Sequence, residues 1–166
     1  MKLIQPKFWE TKNFFSFILY PLSIITLLIN NAKKFHIKKN FEIKTICIGN
    51  IFVGGTGKTS LAIQINELLR KKFRTAFIKK KYKNQSDEIN LLNNKGKVIS
   101  STSRENALLI AVNKKYQLAI LDDGLQQKNI NYDLKIACFN SEYALGNEYM
   151  LPAGPLRESL DEIKNY

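Results

Sequence analysis

Histidine and cysteine are scarce in this sequence: His36 is its only histidine, and Cys47 and Cys138 are its only cysteines. The two cysteines stand far apart in apolar, strand-like runs, with no C-x-x-C spacing and no histidine partner. That excludes a zinc site, which draws its ligands from clustered Cys and His. It also predicts buried, reduced thiols, as in a reducing cytosol. Arginine is scarce too, confined to Arg70, Arg74, Arg104 and Arg157, and no segment interleaves aromatic with basic residues. Nucleic acid is therefore not the expected partner. Acidic residues number 14 against 26 basic ones, a formal charge of +12. Nearly all of that excess is lysine, and asparagine is abundant. The charge thus reflects either an anionic partner (nucleotide or membrane surface) or a compositional bias of the source proteome. Internal repeats and low-complexity stretches are absent, and 166 residues suffice for one domain with its own core.

Against this background one uncharged apolar run stands out, residues 14–29 (FFSFILYPLSIITLLI), broken once by Pro21. As a helix it would cover roughly 24 Å, short of the ~30 Å hydrocarbon core of a bilayer. Lys2, Lys7 and Lys12 precede it and Lys33, Lys34, Lys38 and Lys39 follow, so the charges give no orientation. The pattern predicts a helix lying in or dipping into one leaflet, with Trp9 and Tyr20 near the headgroups. A buried core helix is the alternative. A cleaved signal peptide fits less well, because Asn30-Asn31-Ala32 is a poor small-x-small site.

The chemistry centres on Phe52-Val53-Gly54-Gly55-Thr56-Gly57-Lys58-Thr59, directly after the apolar run Thr45-Ile46-Cys47-Ile48. Strand, glycine-rich turn, Lys, hydroxyl and then a helical pattern over 61–72 make a phosphate cradle. Backbone N–H groups of the turn point inward and the helix adds its positive dipole end. Lys58 would reach the β- and γ-phosphates and the Thr59 hydroxyl would ligate Mg²⁺. The strict pattern G-x-x-x-x-G-K-[ST] has glycine where this chain has Phe52, so the match is a variant.

Downstream, strand and helix alternate. Leu61, Ile65, Leu68 and Leu69 share a helical face, residues 75–78 read as a strand, and Ser86-Asp87-Glu88 opens a helix. Val98-Ile99 is a short strand, and Ser103 caps a helix to about residue 115 with Ala107, Leu108 and Ala111 inward. Residues 118–121 lead into Asp122-Asp123-Gly124, and 134–139 form a further apolar strand. The predicted fold is α/β: a mainly parallel, P-loop NTPase-like sheet with helices on both faces, preceded by the apolar helix. The corresponding division is a membrane-associating segment, 1–40, and an ATP-binding domain, 41–166.

Asp122-Asp123 has the form of a Walker B strand end, where a carboxylate holds Mg²⁺ beside the phosphates. Asp-Asp-Gly is equally an ordinary strand-to-turn exit. Asp87 is the candidate catalytic base, an acid at a loop–helix junction of such a sheet, although the same position suits a simple helix cap.

Four segments, Ile48-Gly49-Asn50, residues 53–59, Asp122-Asp123-Gly124-Leu125-Gln126 and Leu151-Pro152-Ala153-Gly154-Pro155-Leu156-Arg157-Glu158, resemble in order and wording those of the tetraacyldisaccharide 4'-kinases, the lipid A 4'-kinases of Gram-negative bacteria. The resemblance runs from the hydrophobic N-terminus to the end of the chain. It implies a membrane-associated kinase at the cytoplasmic face of the inner membrane, moving the ATP γ-phosphate to the 4'-hydroxyl of a tetraacylated glucosamine disaccharide 1-phosphate. It further implies ATP binding by residues 52–59, Mg²⁺ and phosphate contacts by Asp122 and Asp123, and Asp87 as base. Arg104 matches an arginine that the family places near the active site. The departures are local. Where the family has Ser-Arg-Gly-Tyr-Gly, this chain reads Lys79-Lys80-Lys81-Tyr82-Lys83, with a shorter stretch to Asp87. Gln127 replaces the family's histidine, and Ser60 its proline. The family also has a C-terminal domain carrying a histidine that partners the catalytic aspartate. That domain is expected to be absent from these residues, and His36 is an implausible substitute. A split kinase half needing a separate C-terminal partner is one alternative. A membrane-associated partitioning-type ATPase is another, though that class has a signature lysine where this chain has Val53.

Overall fold

The computed structural model describes residues 5–33, 35, 37–81, 86–141 and 145–166. Lys2, Lys34, His36 and residues 82–85 lie outside them. The chain forms two compact units, one of residues 38–49 and 57–136, the other of residues 1–37, 50–56 and 137–166.

The first unit is built on a sheet. β1 (Lys44–Gly49), β2 (Thr75–Lys80), β3 (Val98–Ser101), β4 (Leu118–Asp122) and β5 (Leu134–Ala137) stand in the order β3-β2-β4-β1-β5. β1 with β4, β4 with β2, and β2 with β3 all pair in parallel. Every residue of β4 is buried, as a central strand covered on both faces must be. α2 (Lys58–Leu69) packs on β1, β2 and β4, α3 (Ser86–Asn93) on β3, and α4 (Arg104–Asn113) on β2 and β3. The path runs β1-α2-β2-α3-β3 across the sheet and then returns through α4 to β4. With right-handed crossovers, that reversal sets α4 on the face opposite α2 and α3. The strands and helices thus agree with the predicted α/β class.

The inward face of α2 differs from its apolar pattern. Leu68 is 73% exposed, whereas Ala62 and Asn66 are buried. Asn66 is held there by hydrogen bonds: its Oδ1 accepts from Thr75 Oγ1 (2.6 Å) and its Nδ2 donates to the Lys95 carbonyl (3.1 Å). A satisfied amide can take a core position that periodicity reserves for leucine. On α4 the expected Ala107, Leu108 and Ala111 are all fully buried.

Both cysteines are buried and neither forms a disulfide among the described residues. Cys47 lies in β1 with its Sγ against Gly124, where a Cβ would come within 2.8 Å of the sulfur. Burial pushes its thiol up to about 12, only partly opposed by the charge of Arg104 and by hydrogen bonding to Tyr132 and Gly124. The reactive thiolate is therefore all but absent near neutrality. Iodoacetamide at pH 8 should leave Cys47 unmodified in the folded protein and label it after unfolding; mass spectrometry of the Cys47 peptide checks this.

In the second unit α1 (Phe14–Lys33) is 20 residues long, so the helix continues past the apolar run through Asn30, Asn31 and Ala32. At about 1.5 Å per residue it is long enough to cross a bilayer, which the shorter predicted helix was not. Pro21 lies inside it. Its amphipathicity is inverted. Ser16, Ser23 and Asn30, spaced by two helical turns, face the rest of the unit; most of the apolar side chains point out, while Leu27 packs on Phe52, Met150 and Leu156. Ser16 Oγ donates to the Phe8 carbonyl (2.9 Å), Ser23 Oγ to that of Met150 (2.7 Å), and Asn30 Nδ2 to that of Arg157 (2.7 Å). Phe14, Phe15, Phe17, Ile18, Ile25 and Leu28 are all more than half exposed.

Candidate active site

Residues 50–56, the first part of the glycine-rich stretch, belong to the second unit. Phe52 is almost fully buried in a cluster with Met150 and Leu156, and bridges Leu156 in antiparallel fashion. The left-handed backbone falls on Gly54 (φ +142°), not on Phe52, which is why an aromatic ring is tolerated where the strict pattern has glycine. Val53 N–H donates to the Pro155 carbonyl (2.9 Å), and Arg157 N–H to that of Ile51 (2.6 Å). Arg157 Nη1 adds a bond to Asn50 Oδ1 (3.0 Å), and Gln5 Nε2 donates to the Val53 carbonyl (2.9 Å). Gly55 has no atom within 4 Å of where a Cβ would sit. The Thr56 hydroxyl is buried without a hydrogen-bond partner among the described residues.

Gly57, in the first unit, precedes α2 in a left-handed conformation (φ +73°) and, as a glycine, has no side chain to cap the helix. The first turn of α2, where helix amides and dipole favour an anion, carries Lys58 and Thr59. β1 and β4 are aligned so that Ile48 pairs with Asp122, which brings Asp122 level with the end of the strand leading to that turn. Thr59 Oγ1 donates to Asp122 Oδ2 (3.1 Å). Asp122 is 1% exposed, and its Oδ1 is buried with no hydrogen-bond partner among the described residues.

Lys79, read in the sequence only as part of a basic run, is the largest addition. Ile78 pairs with Leu121, so Lys79 and Asp122 follow side by side at the ends of β2 and β4. The buried Lys79 ammonium lies 2.9 Å from Asp122 Oδ2 and 2.7 Å from Glu88 Oε2. Burial alone would lower its affinity for the proton. The charges of Asp122 and Glu88, with their hydrogen bonds, outweigh that and raise it, so Lys79 is a cation at physiological pH. Glu88 and Asp87 share the first turn of α3, and Asp87 is exposed.

Asp123 sits in the turn after β4 with φ +59°; its N–H donates to the Ile48 carbonyl (2.8 Å). Its own carbonyl accepts from Arg104 Nη2 (2.5 Å). Arg104 Nη1 donates to Gln127 Oε1 (3.4 Å), so the arginine braces this turn through its backbone and Gln127. The structure therefore brings Thr59, Asp122, Lys79 and Glu88 together, with Lys58 beside Thr59 in the chain.

The residues fit Mg²⁺ as to donor chemistry. Thr59 offers a hydroxyl and Asp122 a buried carboxylate oxygen with no hydrogen-bond partner among the described residues. No three His, Cys or carboxylate side chains converge among the described residues. Mg²⁺ is usually held by one or two carboxylates together with substrate phosphates and water.

A parallel sheet whose first strand leads through a glycine turn to a helix bearing Lys58 and Thr59, with a buried aspartate ending the neighbouring strand of the sheet, defines the P-loop nucleotide-binding class. Within that class the chain belongs to the tetraacyldisaccharide-1-P 4'-kinase family, whose profile matches residues 15–166. The tetraacyldisaccharide 4'-kinase of Pelagibacter ubique is 51% identical over 169 residues, covering 100% of this chain and 54% of the relative. That of Rickettsia bellii is 30% identical over 176 residues, covering 95% and 55%. The crystal structure of LpxK from Aquifex aeolicus in complex with ATP is similar, with a TM-score of 0.77 and 29% identity. The match covers 90% of this chain and 56% of that one. The chain thus spans about half the length of the curated relatives it matches.

Proposed function

We propose that this chain provides the nucleotide-binding and membrane-associating part of a lipid kinase. The reaction moves the γ-phosphate of ATP to the 4'-hydroxyl of a tetraacylated glucosamine disaccharide 1-phosphate at the cytoplasmic face of the inner membrane. The observation that carries this reading is Asp122: buried at the end of β4, bonded to Thr59 through one oxygen, with no hydrogen-bond partner for the other among the described residues. Family membership supports the same assignment.

In this mechanism the N-terminus of α2 and the Lys58 ammonium stabilise charge on the phosphates, a part that the sequence motif alone assigns also to the amides of residues 53–57. Thr59 and Asp122, with Asp123 adjacent, would hold Mg²⁺, which when bound neutralises charge on the transferring group. Asp87, exposed on the first turn of α3, takes the proton of the attacking 4'-hydroxyl. The new P–O bond forms as the bond to the β-phosphate breaks, and ADP leaves. Phe52 contributes its backbone at most, because its ring is committed to the cluster with Met150 and Leu156.

Residues 1–40 are the membrane-associating part and 41–166 the ATP-binding part. The inverted face of α1 supports the former: its polar stripe is bonded to protein along the helix, and most of its apolar side chains face outward. Protein bonded along one whole side suits a helix lying in the interface better than one crossing it. The double variant Phe17→Ser/Ile25→Ser should lose binding to phosphatidylglycerol-containing vesicles by about tenfold or more, each side chain being worth about 1.5–3 kcal/mol when buried in lipid. Its circular dichroism should be unchanged. Vesicle co-sedimentation reads the difference.

The decisive experiment is transfer of labelled γ-phosphate to the acylated disaccharide. It is run with the purified chain alone and with the chain plus the C-terminal half of the Pelagibacter ubique relative. Product in either arm supports the kinase, and product only in the second assigns activity to a two-part enzyme. Nucleotide binding with no transfer in either arm overturns the lipid-kinase reading. Lipid-independent ATP hydrolysis with dimerisation would favour the partitioning-type ATPase.

A further inference from the structure

The proposed mechanism leaves the buried cation Lys79 unused, and it stands at the metal locus. Lys79 lies at the end of β2, its side chain 5% exposed, with its ammonium 2.9 Å from Asp122 Oδ2 and 2.7 Å from Glu88 Oε2. The same Asp122 oxygen accepts from Thr59 at 3.1 Å. One oxygen of the carboxylate is therefore saturated by a hydroxyl and an ammonium, and the other has no partner among the described residues. The placement follows from strand register: Ile78 pairs with Leu121, so the next residues of β2 and β4 meet at the strand ends. A serine at position 79 could supply a hydroxyl but no charge.

We propose that Lys79 is a resident cation of the metal locus: it neutralises Asp122 in the absence of a divalent ion and leaves only Oδ1 for one. Two cations sharing one carboxylate repel each other, and in a buried site water and salt screen that repulsion little. The nucleotide-free protein accordingly holds a divalent ion weakly, and the ion is retained chiefly once phosphate oxygens complete its shell. Lys79 also links Asp122 to Glu88, and so to the helical turn that carries Asp87. Its role is to set the charge and orientation of the metal-holding carboxylate, not to touch the reacting atoms. The inference rests on the reading of Asp122 as a metal-holding residue.

The test measures Mn²⁺ binding to the nucleotide-free chain by electron paramagnetic resonance, with Mn²⁺ alone as the probe. Wild type, Lys79→Met, Lys79→Gln and Lys79→Arg are compared, and circular dichroism reports folding. Fluorescent ATP-analogue binding is measured in EDTA and in Mg²⁺. Removing the charge should tighten Mn²⁺ binding at least tenfold in Lys79→Met and Lys79→Gln, whereas Lys79→Arg should behave like wild type. Analogue binding should depend more steeply on Mg²⁺ in the two neutral variants than in wild type. Gln can still donate a hydrogen bond to Asp122, so that variant carries the test if Met does not fold. Equal or weaker Mn²⁺ binding in a folded neutral variant overturns the inference, because a merely structural lysine would leave the affinity unchanged or lower it. Failure of the underlying reading looks different: no analogue binding by wild type in either condition, and Mn²⁺ binding indifferent to Asp122→Asn.

Discussion

On the proposed kinase reading, Lys58→Ala should lower phosphoryl transfer by on the order of 10²–10³-fold, the usual loss on removing one pre-positioned transition-state donor. Affinity for a fluorescent ATP analogue should fall with it. Lys58 opens α2 directly after Gly57, which as a glycine has no side chain to cap the first helical amides. An anion bound there interacts with those amides and with the Lys58 charge together. Removing the ammonium leaves the amides and the helix dipole, so binding weakens without vanishing. Lys58 is only partly buried and lies at the helix end, so the melting temperature should hold to within a few degrees. Stopped-flow transfer assays and analogue titration separate the two effects. Unchanged transfer and affinity would remove the phosphate role from Lys58.

Asp122→Asn has a second, larger consequence for stability. Asp122 and Lys79 are 1% and 5% exposed at the side chain, a buried ion pair in which the carboxylate is the better-buried partner. Breaking such a pair from one side typically costs 3–5 kcal/mol, since it leaves an uncompensated charge in the interior. Glu88 still faces Lys79 but is half exposed, so the loss should fall near the lower end, about 3 kcal/mol. For a chain of this size that is a fall in Tm of about 6–12 °C. Adding Lys79→Met should restore much of it, because replacing both members by neutral groups removes the charge that was stranded. Divalent-dependent nucleotide binding stays lost in both variants. Denaturant unfolding of the two single variants and the double variant isolates the coupling. Additive losses would mean that the pair does not act as a unit.

Sequence carried the site unevenly, for physical reasons. Thr59 and Asp122 were legible because phosphate chemistry fixes residue types at short spacings: glycines where the turn needs them, a hydroxyl at the helix start, a carboxylate at a strand end. Lys79 was not legible, since a lysine in a run of lysines reads as solvated charge. Only the register of β2 against β4 turns it toward Asp122. Glu88 was hidden the same way, passing as the second acid of a helix opening. On α1 the spacing of Ser16, Ser23 and Asn30 was present in the sequence. It gained meaning only when their carbonyl partners at Phe8, Met150 and Arg157 were placed. The sheet itself was legible from alternating apolar runs, yet α2 turns Asn66 inward, because Thr75 and Lys95 offer its amide what leucine could not accept.

The bonds from Val53 to Pro155 and from Ile51 to Arg157 also fix an order in time. On a ribosome, residues 50–56 emerge long before their partners exist. The length of the intervening loop is a minor obstacle, since each doubling adds only about 0.6 kcal/mol of closure entropy. Timing is the larger one. A nascent chain halted before residue 151 can complete α2 and the strands of the sheet, but Val53 and Ile51 have no carbonyl or amide to meet. Its phosphate loop should therefore stay open to protease cleavage near Gly54 and Gly55, and become protected only once 151–157 has been translated and has left the exit tunnel. A motif synthesised early is thus finished late.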